Sequence, residues 1–175
     1  QVIESATRLN HFSTENKTIV ANFEAVNCKV TINYDATRGT VSGGSTSVYQ
    51  YGNQLTLTAT PATNCDFVGW FTNGNLIQTE KTLSAAVNGD ITIEAKFIKR
   101  PIIIWNNPDD IVYGTVLSET QLNAKADVNG RFEYTPSIGT LLNVGNNQEL
   151  ILKFIPNDEI NYSIVSAKAV INVNS

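Results

Sequence analysis

The chain has 175 residues, enough for one large or two small domains, and its 42% hydrophobic content allows a buried core. Charged residues make up only 16%, which argues against intrinsic disorder. Residues 1–100 carry eight basic and eight acidic side chains, whereas residues 101–175 carry four and eight, so the second stretch holds the whole net charge of −4. Neither stretch has a basic patch, and nucleic-acid binding therefore has no electrostatic support.

The sequence pattern is typical of β-strands. Leu55, Leu57 and Ala59 alternate with threonines, which predicts a strand with one buried and one exposed face. Pro61 should end that strand, because proline has no N–H for a sheet ladder. No long window shows helical spacing of apolar residues, and no apolar run is long enough to cross a membrane. We therefore expect a mainly β fold without membrane insertion in this segment.

A repeat is visible at the start of the chain. Residues 17–23 (KTIVANF) and 91–97 (ITIEAKF) place apolar residues at the same positions, with an offset of 97 − 23 = 74. A fixed offset indicates tandem repeats. Residues 1–25 are then the tail of a preceding unit, and residues 26–99 are one complete unit. Chance similarity between two short alternating strands is the alternative interpretation. In the tail, the apolar face of Ile19, Ala21 and Phe23 is expected to dock on the complete unit or on another molecule.

Within residues 26–99 the turns are well marked. Asn73-Gly74 predicts a tight hairpin, since both residue types tolerate positive φ. Phe67 and Trp70 return large apolar side chains after a polar turn and are expected in the core. The residues that carry a family resemblance are Gly39–Gly43, Tyr51-Gly52, Leu55–Pro61, Phe67–Trp70 and Gly89–Phe97.

On those residues, the stretch 26–99 resembles the divergent form of the internalin B-repeat of bacterial surface proteins. The resemblance implies a small β-grasp-like module that is used in tandem on extracellular proteins. Where the family usually has a glycine–aromatic pair before the phenylalanine, this chain has Cys65-Asp66.

A boundary is expected at Lys99-Arg100-Pro101, and residues 100–175 form the second predicted domain. Short strands with regular turns suggest a β-sandwich, and Asn129-Gly130 predicts a tight hairpin. This half resembles bacterial immunoglobulin-like repeats. The matching stretches are Tyr113–Thr115, Gln121–Ala124, Tyr134–Pro136, Gly139–Leu142, Phe154–Asp158 and Asn161-Tyr162. Tyr162 precedes the last strand, where its hydroxyl could tie down a loop or its ring could simply pack.

The sequence offers little catalytic chemistry. The single histidine, His11, aligns with Ala85 at the 74-residue offset, so the complete unit has no equivalent base. The acidic pairs Asp109-Asp110 and Asp158-Glu159 could hold a calcium ion, but their positions beside proline and asparagine favour turn capping. We therefore expect no enzyme activity, no catalytic or metal site, and no cofactor.

Cys28 and Cys65 are the only cysteines. Their separation matches no zinc pattern, and in an exported protein they could form one disulfide. Such a crosslink would stabilise the fold by roughly 4 kcal/mol on the loop-closure model. Two small buried thiols are the alternative.

Four aromatic residues, Tyr49, Tyr51, Trp105 and Tyr113, could stack on a sugar ring if exposed on one face. The alternative is a core or interdomain role, and for Trp105 we expect burial at the interface between the two halves.

Two functions follow from these patterns. The first is a non-enzymatic stalk or spacer of tandem β modules in a bacterial cell-surface protein, with neighbouring modules of the same protein as partners. The second is a module that binds a carbohydrate or a host protein through exposed aromatics. Both place the chain at the cell surface or outside the cell.

Overall fold

The computed structural model describes residues 25–175, and every regular element in that range is a β-strand. The predicted mainly β fold is therefore confirmed. The predictions for His11 and for the face of Ile19, Ala21 and Phe23 lie outside the described residues.

Eight strands make up the first half of the described chain. Their bounds are β1 Asn27–Tyr34, β2 Gly39–Ser42, β3 Ser47–Gln50, β4 Gln54–Pro61, β5 Cys65–Thr72, β6 Asn75–Gln78, β7 Thr82–Ala86 and β8 Ile91–Lys99. A five-stranded sheet has the order β3-β1-β8-β5-β6, and a three-stranded sheet has the order β2-β4-β7. The first and last strands, β1 and β8, are neighbours and run parallel, whereas the other pairs in these two sheets are antiparallel.

The core of this half contains residues of both sheets. The predicted alternation holds on β4, where Leu55, Leu57 and Ala59 are buried and Pro61 is the last residue. Trp70 on β5 is fully buried, and its indole nitrogen donates to the Glu80 carbonyl at 3.1 Å. Burial of this indole is possible because its one polar hydrogen has a partner.

The Asn73-Gly74 hairpin is also confirmed, because it joins the antiparallel strands β5 and β6. Both residues have positive φ, 50° and 78°, which is the backbone conformation that the two-residue turn requires.

Six further strands follow. Their bounds are β9 Ile103–Ile104, β10 Ile111–Val112, β11 Lys125–Ala126, β12 Gly130–Thr135, β13 Gly145–Pro156 and β14 Val165–Asn174. A four-stranded sheet has the order β10-β14-β13-β12, and β11 pairs with β9 in a separate two-stranded sheet. Leu117 and Leu122, from the segment between β10 and β11, pack with Leu150 of β13 and Ile171 of β14. This second core gives the half its sandwich character.

The predicted hairpin at Asn129-Gly130 is wrong. The flanking strands do not pair with each other, because β11 pairs with β9 and β12 pairs with β13. Gly130 has a different role, since a Cβ there would lie 2.5 Å from the Ile155 carbonyl oxygen. The glycine allows close backbone approach between β12 and β13.

Candidate functional site at the joint between the two halves

The chain passes from the first half to the second at Lys99, and backbone hydrogen bonds brace this point. The Lys99 N–H donates to the Asn161 carbonyl at 2.9 Å, and the Ser163 N–H donates to the Lys99 carbonyl at 2.9 Å. Lys99 and Tyr162 thus form a parallel bridge between the end of β8 and the loop before β14. A single parallel bridge therefore connects the last strand of the first half to a loop of the second half.

Asp66 links side chains from both halves at this joint. Its carboxylate accepts hydrogen bonds from the Arg100 guanidinium and, at 2.9 Å, from the Ser163 hydroxyl. The Arg100 N–H also donates to the Asn64 carbonyl at 2.7 Å. The hydrogen bond from Arg100, with a smaller contribution from Ser163, lowers the pKa of Asp66 below its ordinary value. At neutral pH the joint thus contains an ionised carboxylate with partners on two segments.

Arg38, in the turn between β1 and β2, makes a second side-chain link. Its Nη1 donates to the Asn161 side-chain oxygen at 3.1 Å and to the Phe97 carbonyl at 3.4 Å. Its Nε pairs with Asp35 at 3.1 Å, which fixes the guanidinium on its own side of the joint. The pKa of Asp35 is lowered, mainly by hydrogen bonds from the Thr37 hydroxyl and N–H.

One residue of each acidic pair has a structural partner. Asp158 accepts from the Asn161 N–H at 3.1 Å and from its side-chain amide at 2.9 Å, and the latter bond is the main cause of its lowered pKa. Asp110 accepts from the Asn172 amide at 2.9 Å. The Asp158 contacts are of the local capping type that the sequence favoured, whereas Asp110 bonds to a residue 62 positions along the chain. Within residues 25–175 no three His, Cys, Asp or Glu residues cluster in a way that could hold a metal ion.

An open cleft of about 610 Å³ lies along the joint. Its lining includes Tyr34, Arg38, Val68 and Lys96 from the first half and Ile160 from the second. Ile160 is 85% exposed, so the cleft has an apolar edge. Acidic side chains offset the two basic ones in the lining, and the cleft carries no strong charge of either sign.

The four aromatic candidates are not brought together. Tyr51 and Tyr113 are exposed, at 59% and 53%, whereas Tyr49 and Trp105 are partly buried against separate cores. The Tyr49 hydroxyl donates to the Ser45 carbonyl at 3.1 Å.

Trp105 packs in the second core, not between the halves, and the interdomain expectation for it is wrong. Its ring meets Tyr134 edge-on with centroids 5.4 Å apart, and its indole donates to the Gln121 carbonyl at 3.1 Å.

The two exposed tyrosines lie at opposite ends of the described chain. The Tyr51 N–H donates to Val26, just before β1, which is the end of the first half away from Lys99. The Tyr113 N–H donates to the carbonyl of Asn174, at the end of β14. The start of β14 lies near the joint, and Asn174 is nine residues beyond it. A single sugar-stacking platform made from these rings is therefore excluded by their placement.

The predicted Cys28–Cys65 disulfide is also wrong, and both thiols are free. Cys28 lies two residues before the Val30–Ile91 pair, whereas Cys65 pairs with Lys99 at the other end of β8. The eight residue steps along β8 from Ile91 to Lys99 place the cysteines more than about 25 Å apart. A disulfide requires Cα atoms within about 7 Å. The buried Cys28 thiol matches the alternative interpretation.

Sequence reasoning missed most of the joint residues. In the sequence, Asp66 stands out only as a departure from the family pattern, and Arg100 only as part of a domain boundary. The side-chain contacts across the joint could not be read from the sequence, because Ser163 lies 97 residues from Asp66 and Asn161 lies 123 residues from Arg38. The sequence also did not single out Tyr134, whose hydroxyl accepts from the Ala124 N–H at 3.0 Å.

The described residues contain no helix that could span a membrane. No curated protein matches the chain. Residues 29–101, which are 73 of the 175, match the family model described as "Divergent InlB B-repeat domain". The matched range covers nearly all of the first half and ends at Pro101, within the joint. This stretch of the chain is thus similar to a repeat module of bacterial surface proteins, and both the family and the all-β fold favour a structural role.

Proposed function

We propose that residues 25–175 are a non-enzymatic spacer segment of a bacterial cell-surface protein, made of two β modules held in a fixed relative orientation. The observation that carries this proposal is the joint, where Lys99 at the end of β8 makes two backbone hydrogen bonds to the loop of residues 161–163. A spacer has to keep its length, and a braced joint limits bending between modules. The partners in this proposal are neighbouring modules of the same protein.

The side chains at the joint support the same conclusion. Asp66 and Arg38 each belong to the first half and bond directly to the loop of the second half. Arg100 adds an ion pair at the point where the chain crosses. A flexible linker, by contrast, would have few contacts across it.

The proposal is tested by measuring distances across the joint. Spin labels on one exposed position in each module, such as Val48 and Lys153, report the spread of interdomain distances by pulsed electron paramagnetic resonance. We expect a single narrow distribution for the full chain and a broader one for Arg100→Ala. Arg131→Ala is the matched control, because that arginine pairs with Glu133 inside the second half. A broad distribution in the unmodified joint would overturn the proposal.

Ligand binding by exposed aromatics has less support, because Tyr51 and Tyr113 lie at opposite ends. A glycan and host-matrix array on the full chain, beside Tyr51→Ala and Tyr113→Ala variants, tests this alternative. Specific binding that either variant abolishes would show that the segment is more than a spacer.

A further inference from the structure

We infer that each half contains a shear clamp, a parallel pairing between its entering and leaving segments, that resists tension applied along the chain. This goes beyond the spacer role, because modules can be held at a fixed angle and still unravel easily under load.

In the first half the clamp is the β1–β8 pair. The two strands run parallel through five residue pairs, from Val30–Ile91 to Tyr34–Ala95. The chain enters at the start of β1 and leaves at the end of β8, which are opposite ends of this pairing. Tension from the two ends therefore slides one strand along the other. Because the force acts along the strands, the evenly spaced hydrogen bonds between them are loaded together.

The backbone contacts next to the clamp show which groups face β8. The Lys29 N–H donates to the Asp90 carboxylate at 2.7 Å, just before β8, whereas the Ile32 N–H donates to the Thr46 hydroxyl at 2.9 Å on the opposite side. Alternate residues of a strand point their polar groups to the same side. The backbone N–H groups of Thr31 and Asn33 therefore face β8. The hydrogen bond from the Lys29 N–H to Asp90 extends the clamp by one more position.

In the second half the clamp joins residues 107–113 to β14. Ile111 and Val112 pair in parallel with Val173 and Asn174. Side chains lengthen this short pairing: the Val170 N–H donates to Asn107 at 3.0 Å, and the Asn172 amide donates to Asp110 at 2.9 Å. These contacts advance in the same order along both segments.

The direction of loading is the same in this half. The segment 107–113 follows the entry point at the joint, and β14 carries the chain away at Asn174. Tension again slides the two segments in opposite directions along their length. Asn107 and Asp110 thus acquire a role that turn capping alone does not explain.

The test compares two pulling directions on one protein by single-molecule force spectroscopy. Handles are placed at the two chain termini, or at the N-terminus and at an Asn88→Cys site, with Cys28 and Cys65 replaced by alanine. Asn88 is exposed and precedes β8, so the second geometry opens the β1–β8 pair from one end. Hydrogen bonds then break one after another. Circular dichroism on the same protein verifies that the substitutions leave the fold intact.

At the same constant force, we expect the first half to survive at least about tenfold longer when pulled from the termini, since bonds that break together add to one barrier. Equal or shorter lifetimes in the terminal geometry would overturn the inference. The spin-label distances report the joint separately, so failure of the clamp and failure of the spacer proposal give different results.

The second clamp is tested with a matched pair of aspartates. Asp110→Ala should shorten the lifetime of the second half under terminal tension severalfold, because it removes the Asn172 contact. Asp109→Ala should not, since within residues 25–175 the Asp109 side chain makes no hydrogen bond. Equal lifetimes for the two variants would show that the Asp110 side chain does not strengthen the clamp, and would overturn that part of the inference.

Discussion

The two halves of the molecule bring their entering and leaving segments together in different ways. In the first half the parallel pair lies in the interior of a five-stranded sheet and is made by backbone over five residue pairs. In the second half it lies at the edge of a four-stranded sheet, spans two residue pairs, and relies on Asn107 and Asp110. A parallel pairing between the entering and leaving segments can therefore be stabilised either by a long backbone ladder inside a sheet or by polar side chains at a sheet edge. The pairing in the second half is more sensitive to single substitutions, because it relies on individual side chains.

The largest expected effects on stability come from substitutions in the two hydrophobic cores, one in each half. Trp70→Ala should destabilise the first half by about 3–5 kcal/mol, because it leaves a cavity and removes the donor to Glu80. Its counterpart, Leu150→Ala, should cost the second half about 2–5 kcal/mol. Differential scanning calorimetry measures both. Each variant is expected to shift a different transition, and a common shift for both would show that the halves unfold as one unit.

A smaller effect concerns backbone packing in the second half. Gly130→Ala should destabilise this half by about 1–3 kcal/mol, since its Cβ would lie 2.5 Å from the Ile155 carbonyl oxygen. Gly89→Ala in the first half is the control, because nothing lies within 4 Å of its added Cβ. Urea unfolding of the two variants measures the difference. A neutral Gly130→Ala would contradict the close approach of β12 and β13.

Loss of the Tyr134 hydroxyl, which bonds to the backbone of the second half, should have a weaker effect on stability. Tyr134→Phe should cost about 0.5–1.5 kcal/mol, because the Ala124 N–H loses its acceptor. Burial also raises the pKa of the Tyr134 phenol, so we expect its absorbance titration above the normal range. Tyr113→Phe is the matched exposed control and should be neutral in urea unfolding. Equal stability of both variants would show that the hydroxyl contributes nothing.

The smallest effect is the pH dependence of the joint. The folded-state pKa of Asp66 is lowered, chiefly by Arg100, so its contribution is present above the unfolded value of about 3.9 and is lost as pH falls through the folded value. Water screens the pair, since the Arg100 side chain is 53% exposed. The spin-label distances should therefore broaden modestly in acid. Asp66→Asn should be broader at neutral pH and respond less to acid, and an equal response would contradict the assignment.

Local patterns in the sequence predicted much of the first half. The alternation on β4, its end at Pro61 and the Asn73-Gly74 hairpin each depend on neighbouring residues, which the sequence shows directly. The resemblance to the B-repeat also agreed with the family match over residues 29–101.

Features that depend on distant contacts were not predictable. Asn129-Gly130 has the composition of a hairpin turn, yet its glycine serves the contact with β13 and the flanking strands lie in different sheets. The disulfide prediction failed because the parallel register of β1 and β8, which sequence does not reveal, sends the two cysteines to opposite ends. The joint depends on partners about a hundred residues apart.

The separation of Cys28 and Cys65 has a consequence for how far the chain can extend. A disulfide across the first half would keep the loop between the cysteines closed even after unfolding. Without it, the 73 residues of Asn27–Lys99 can lengthen to a contour of roughly 250 Å once β1 and β8 separate. The first half is therefore compact while β1 and β8 stay paired, and it can extend to its full contour once they separate. No disulfide has to break or re-form in that change.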